Sequence, residues 1–291
     1  KHTLGKLFAL RDFLSDKSIK SIISQIDSLP SLPSIYTEIV SEMQSDDPAM
    51  NRVGQIIAKD ISMTAKILQM VNSAFFGLFR KISSPEKAVM MLGLETIKAL
   101  VLSVKIFSEF TQKSFSWFKI DELFDHCLAV SLYAKTIVKN ENLDQGSINN
   151  SMMAGLLHDI GKLILATNFE NPYRQVLAAA QGTGKNLLDL EYEAFGTSHA
   201  EIGAYLMGLW RLDNSIIEAI AFHHLPARSM TQNIGLLTTV HVANALDHEM
   251  RTHAGENTKL QCDTEYLDKL EIKSRIPQWR QVCKELTERN G

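Results

Sequence analysis

Apolar residues recur at helical spacing along almost the whole chain. Leu7, Leu10 and Leu14 share one face near the start, and Ile19, Ile22, Ile23 and Ile26 follow. Ile35, Ile39, Val40 and Met43 make a further stripe. Spacings of i, i+3 and i+4 belong to amphipathic helices, whereas no segment shows the period-two alternation of a half-buried strand. The expected fold class is all-α. A chain of 291 residues with 45% apolar content can bury one large core or two smaller ones.

Punctuation divides the pattern. Ser28-Leu29-Pro30-Ser31-Leu32-Pro33 cannot lie inside a helix, because each proline restricts the residue before it. Ser45-Asp46-Asp47-Pro48 reads as a stop and a start, and Asp60 or Ser62 as the cap of a helix carrying Met63 to Ser73. Ser83-Ser84-Pro85-Glu86 reads as a cap, an N1 proline and a favourable first-turn charge. Phe75-Phe76 and Met90-Met91 read as core filling, Gly182-Thr183-Gly184 as a loop, and Thr264 to Gly291 as a solvated helical cap.

Charge and cysteine usage exclude several classes. The chain carries 30 Lys+Arg against 33 Asp+Glu, a net charge of −3, which lacks the basic footprint of a nucleic-acid binder. Apolar stretches such as Ala88 to Leu94 fall far short of the roughly 20 residues of a membrane span. Cys127, Cys262 and Cys283 form no C-x-x-C pair, and no secretory signal opens the chain, so a cytoplasmic, reducing location is expected. Gly182-Thr183-Gly184-Lys185 fails the phosphate-loop spacing, having Ala179 and Asn186 where that pattern needs Gly and Ser or Thr. The start at Lys1 rather than Met is expected of a piece of a longer protein.

Histidine distribution is uneven. Of nine histidines, only His2 precedes His126. Residues 1–115 therefore read as a helical packing lobe and 116–291 as a lobe that holds chemistry. His158 and Asp159 end an apolar run, Gly155-Leu156-Leu157, and precede Ile160-Gly161-Lys162. Adjacent imidazole and carboxylate are costly to bury unless paired or metal-bound. Together they suit a divalent transition ion such as Fe, Mn, Ni or Zn. Neighbours on a helix point about 100° apart, so both reach one ion only at a helix edge or kink. Gly161 would permit that irregularity. His126, His199, His223, His224 and His241 each have a plain structural explanation alone, but five helical segments could bring them together in one bundle core.

Leu29-Pro30-Ser31-Leu32-Pro33, then Thr64-Ala65-Lys66-Ile67-Leu68-Gln69-Met70-Val71-Asn72-Ser73-Ala74-Phe75-Phe76-Gly77, then Ala88 to Gly93, resemble the HDOD domain of bacterial signalling proteins. The likeness continues through Leu156 to Leu163 and His199 to Gly203 to His223-His224, covering roughly residues 20 to 250. It implies a multi-helix bundle like that of HD phosphohydrolases with an added N-terminal lobe. It also implies a signalling output role, usually without demonstrated catalysis. The opening is similar to HDOD proteins that follow a receiver domain in response regulators. Expected partners are such a receiver domain, another signalling protein or a cyclic dinucleotide.

The resemblance also implies roles for residues. In HD hydrolases the ligand series is His, adjacent His-Asp, then a later Asp; here His126, His158 and Asp159 match, and the later position falls at His241. Histidines of the cyclic di-GMP phosphodiesterase branch match His199, His223 and His224, and its lysine matches Lys162, which the resemblance makes the candidate catalytic residue, stabilising phosphate charge. That branch's Gly-Tyr-Pro signature is absent, the chain reading Leu225-Pro226-Ala227-Arg228. Arg228 is a candidate for substrate or anion contact, and Asn72 and Ser73 for the lobe interface. Two divalent ions bring four positive charges against the single negative charge of Asp159, so one ion is expected, or two with a bridging anion such as phosphate. A non-catalytic signalling output is the favoured expectation, and a metal-dependent phosphohydrolase the alternative.

Overall fold

The computed structural model describes residues 16–26, 29–78, 80–110, 115–229, 233–251 and 261–288. The Leu7–Leu14 stripe lies outside them. Six helices come first: α1 (Lys17–Ser24), α2 (Ser34–Met43), α3 (Met50–Ala58), α4 (Ile61–Val71), α5 (Pro85–Leu92) and α6 (Leu94–Phe110). Then come α7 (Ile120–Asn140), α8 (Gln145–Leu157), α9 (Ile160–Asn168), α10 (Glu170–Thr183) and α11 (Leu187–Phe195). The last are α12 (His199–Leu209), α13 (Asn214–Phe222), α14 (Leu236–Arg251), α15 (Thr264–Lys269) and α16 (Ile276–Glu288). No strand occurs among the described residues, and the fold is all-α.

Local chemistry sets the boundaries. The Asp60 carboxylate accepts from Met63 N–H at 2.9 Å and caps α4, leaving Ser62 inside the helix. Ser84 caps α5 ahead of Pro85. Ser198 and Glu201 form a reciprocal capping box that starts α12 at His199. Helix α10 continues to Thr183, so the expected Gly182–Gly184 loop shrinks to a left-handed Gly184 with φ 67°.

One apolar core runs from Ile22 to Cys283. Within it α7 packs along α8 and α14, α13 packs on α8, α12 and α14, and α9 packs on α12. Two glycines allow the closest crossings. A Cβ at Gly155 would lie 2.4 Å from Ser131 Cα, bringing α8 against α7. A Cβ at Gly161 would lie 1.9 Å from the His199 carbonyl oxygen, bringing α9 against α12. Gly161 thus serves close approach; the break in the chain falls instead at His158–Asp159, between α8 and α9.

Two expectations about packing fail. Met90 and Met91 are 62% and 56% exposed, because α5 turns Ala88 and Val89 inward instead. The C-terminal tail is no solvated cap: Leu267, Trp279 and Cys283 are fully buried. Trp279 Nε1–H donates to Glu141 at 2.7 Å, fastening α16 to the end of α7.

Candidate metal centre

Four elements converge on Asp159. His126 projects from α7, His158 and Asp159 occupy the α8–α9 joint, His199 opens α12, and His223 and His224 follow α13. The Asp159 carboxylate has two differently furnished faces. Its Oδ2 lies 2.6 Å from Lys162 Nζ, 3.4 Å from His158 Nε2 and 3.5 Å from His126 Nε2. Its Oδ1 lies 3.2 Å from His199 Nε2 and 3.6 Å from His223 Nε2. Two sets of potential ligand atoms result, both containing Asp159: one with His126 and His158, one with His199, His223 and His224.

The outer nitrogens fix the tautomers. His126 Nδ1 lies 2.6 Å from Asp247 Oδ2, and His199 Nδ1 lies 2.6 Å from Glu191 Oε2. His158 Nδ1 lies 2.8 Å from the Gly155 carbonyl, and His223 Nδ1 2.7 Å from the Ile220 carbonyl. These oxygens only accept, so each Nδ1 carries a proton and Nε2 is the ring atom each histidine turns inward. Helix backbone or a carboxylate behind each imidazole is the arrangement that orients metal-ligating histidines.

The inner atoms form an excess of acceptors. His126 Nε2 and His158 Nε2 stand 3.2 Å apart, and His199 Nε2 and His224 Nε2 3.0 Å apart. Asp159 Oδ1 and His223 Nε2 are buried without a hydrogen-bond partner. Such groups are expensive to bury, and a cation would satisfy them. The donor set of neutral imidazoles and one carboxylate fits a divalent transition ion.

Electrostatics favour the ligating, neutral form at three of these rings. Burial pushes the pKa values of His158, His223 and His224 below the usual imidazole range, keeping the rings neutral. Burial outweighs any helix-terminus preference for charge at His223-His224. Burial disfavours charge at His199 too, but Glu191 and Asp159 raise its pKa overall. Burial works against ionising Asp159, yet His158 and Lys162 hold its pKa well below the usual carboxylate value. Lys162 is held charged by Asp159 despite its own burial.

The structure does not bring every expected residue here. His241 is spent on backbone: its Nδ1–H donates to the His223 carbonyl at 2.7 Å and its Nε2 accepts from Asp263 N–H at 2.9 Å. It therefore stands as a buttress behind His223, which corrects the ligand expectation. Farther along the same face of α14, one turn apart, come Asn244, whose buried Oδ1 has no partner, and Asp247, bonded to His126. Asn72 also departs from expectation. Its amide accepts from Ile82 N–H at 2.7 Å and donates to the Ile82 and Leu68 carbonyls, tying the end of α4 to the segment before α5. Ser73 does line a cavity of about 330 Å³ between α4, α6 and α7. Arg228 donates to the Tyr192 hydroxyl at 3.2 Å and borders a space of about 10 Å³ beside His224.

Glu191, Asn244 and Asp247 escaped the sequence reading. Glu191 is fully buried, bonds Tyr173 OH and the His199 backbone N–H, and lies eight residues before His199. Its only local signal is an acid flanked by Leu190 and Tyr192.

Comparison places these features in a known family. A structure from Geobacter sulfurreducens, an HDOD domain protein with unknown function, superposes with a TM-score of 0.73 at 24% identity, covering 95% of this chain and 98% of that one. A candidate phosphohydrolase from Shewanella amazonensis SB2B gives a TM-score of 0.69 at 19% identity, covering 96% of this chain and all of that one. An uncharacterised protein of Treponema pallidum (strain Nichols) is 28% identical over 209 residues, 71% of this chain. The chain spans 40% of that relative's length. Residues 29–226, from the double-proline segment to just past the paired histidines, match the HDOD domain, and the chain is a member of that family.

Proposed function

We propose that this chain is a non-catalytic signalling output domain whose His–Asp cluster holds a divalent ion as a structural or regulatory element. The observation that carries the reading is closure. His126, His158, Asp159, His199 and His223 are all at most 6% exposed. The space beside His224 is about 10 Å³, room for about one water and no phosphate ester. The cavity of about 330 Å³ is lined by none of the cluster residues. Output would then pass through binding of another signalling protein or a preceding receiver domain, with the N-terminal helices as the contacting lobe. A cyclic dinucleotide fits the cavity between α4, α6 and α7 less well, since Asp121 and Asp125 on its wall outweigh Lys66 and oppose phosphate. Family membership supports the signalling role. A soluble, cytoplasmic setting is consistent with it, and no described helix is long and apolar enough to cross a membrane.

A second reading, metal-dependent phosphohydrolysis, draws on the two ligand sets that share Asp159. A bound ion there supplies Lewis acidity and a lowered pKa for coordinated water. Asp159, His199, His223 and His224 would hold it, with His126 and His158 on the opposite face. Lys162 keeps Asp159 ionised, while Glu191 and Asp247 hold His199 and His126 in the ligating tautomer. Arg228, beside His224, is the side chain placed to meet an anion once the entrance widens. Protein loaded with Mn, Fe or Ni and tested on phosphate esters and cyclic dinucleotides decides between the readings. The first predicts no turnover with any metal; turnover lost in Asp159→Ala but kept in Asn72→Ala establishes the second.

A further inference from the structure

We propose that the cavity between α4, α6 and α7 is a binding site for a small organic cation, an ammonium carried on an apolar or aromatic frame. The site stands apart from the His–Asp cluster, and the inference does not rest on a metal being bound there.

The walls of the cavity set the frame of the ligand. Met70 of α4, Val104 and Phe107 of α6, and Phe124 and Leu128 of α7 supply apolar surface, and Phe75, just after α4, adds a third ring. The Phe107 and Phe124 rings meet edge to face with centroids 4.8 Å apart. Phenyl faces attract a cation held over them. Close-packed interiors keep few voids larger than a water molecule, so walls this far apart are shaped for an occupant. The volume, about 330 Å³, lies within the roughly 300–1,000 Å³ of small-molecule sites. That range fits a whole small molecule better than the tip of one protein side chain.

The rim sets the charge of the ligand. The charged residues of the lining are Asp121, Asp125 and Lys66, so two negative charges meet one positive and the site is net negative. Both carboxylates are exposed, which places them at the mouth, while Phe107 and Leu128 are buried at the floor. Among the described residues neither carboxylate forms an ion pair, whereas their neighbour Glu122 pairs with Lys119. Arg251, which attracts Asp125 from α14, is bonded to Asp247 instead. Asp121 has a plain explanation as a first-turn acid at the positive end of α7. Asp125 has none: it lies one turn farther in, where a like charge four residues away costs stability. Desolvation raises its pKa, with Arg251 opposing and Asp121 reinforcing the rise. An ammonium at the mouth relieves this repulsion, and an anion adds to it.

Titration calorimetry of the purified chain with probes of one shape and different charge tests the proposal: phenethylammonium, neutral phenethyl alcohol and anionic hydrocinnamate. The ammonium is expected to bind at one equivalent, at least about fivefold tighter than the alcohol, with hydrocinnamate weaker than either. Asp121→Asn combined with Asp125→Asn should bring the ammonium to within about twofold of the alcohol, and Lys66→Met should tighten it about twofold. Ser73→Phe, which fills the cavity from its wall, should abolish binding of every probe. Circular dichroism checks each fold, and Gln69→Trp replaces Ser73→Phe should the latter not fold. Equal affinity for ammonium and alcohol, tightest binding of hydrocinnamate, or no binding of the ammonium overturns the proposal. So does ammonium binding that survives in the cavity-filling variant. Tighter binding of an acetylated Phe-Lys dipeptide amide than of phenethylammonium overturns it in favour of a protein partner's side chain.

Discussion

The helices before Phe110 and those after Phe115 bury different things. In the first group the buried polar side chains are Thr96 and Ser103. In the second they include His126, His158, Asp159, Glu191, His199, His223, His241 and Asp247. The outer surfaces differ in reverse: Met50, Ile61, Met90 and Met91 of the first group are 46%, 85%, 62% and 56% exposed, while the second exposes Leu209 at 53%. Buried polar groups are costly unless they find partners, and placing those partners demands closely fixed backbones. The α7–α14 helices provide that through glycine crossings and histidines backed by carbonyls or carboxylates. The α1–α6 helices, free of that demand, keep apolar side chains available outside.

The largest effect should come from filling a glycine crossing. Gly161→Ala pushes a methyl into the His199 carbonyl and is expected to cost at least about 3 kcal/mol, measured by urea denaturation. Gly182→Ala, a helical position with nothing within 4 Å, should stabilise by about 0.5–1 kcal/mol. Equal effects at the two sites would break the contrast between a fixed centre and its surroundings.

Acid should act next most strongly, through the histidines kept neutral. Burial lowers the His241 pKa to about 4 from its ordinary 6.5. The unfolded chain then takes up the proton first as pH falls. The contribution of His241 to stability is complete above about pH 6.5 and is lost as pH drops toward 4, roughly 3 kcal/mol at most. In His241→Gln, the fall in stability over that window should be shallower than in wild type. An unchanged slope would mean that His241 is solvated.

Lys135 tests the same logic where α7 meets α6. Its ammonium donates to Thr96 Oγ1 at 2.8 Å, and burial, aided by Lys139, lowers its pKa to about 8. Below about pH 8 the buried charge opposes folding, and this penalty fades as pH rises to 10.5. Lys135→Met should therefore stabilise by about 1 kcal/mol at pH 7, the gain shrinking above pH 8, as thermal melts across pH would show. Smallest of all, Met90→Lys with Met91→Lys should change stability by less than about 0.5 kcal/mol. A larger loss would show that this face is packed in solution.

Much of this was legible in the sequence, for physical reasons that also explain the gaps. Helical periodicity and cap residues such as Asp60 and Ser84 are local, so the all-α class and several boundaries could be read directly. The His158–Asp159 pair stood out because its cost of burial is local too. His241 and Asn244 illustrate the limit: both lie on one face of α14, and only the direction in which α13 and α7 cross it decides which ring meets backbone. Met90-Met91 misled because an apolar pair in a helix says nothing about which side the core lies on. Glu191 was invisible because its partner, His199, opens a different helix.

Anomalous diffraction from crystals grown with manganese or nickel tests the central claim most directly. The account predicts one peak, bounded by Asp159 Oδ1, His199, His223 and His224, with ligand bonds of about 2.0–2.2 Å. A centre without a peak, closed by direct hydrogen bonds from protonated imidazoles to Asp159, would contradict it.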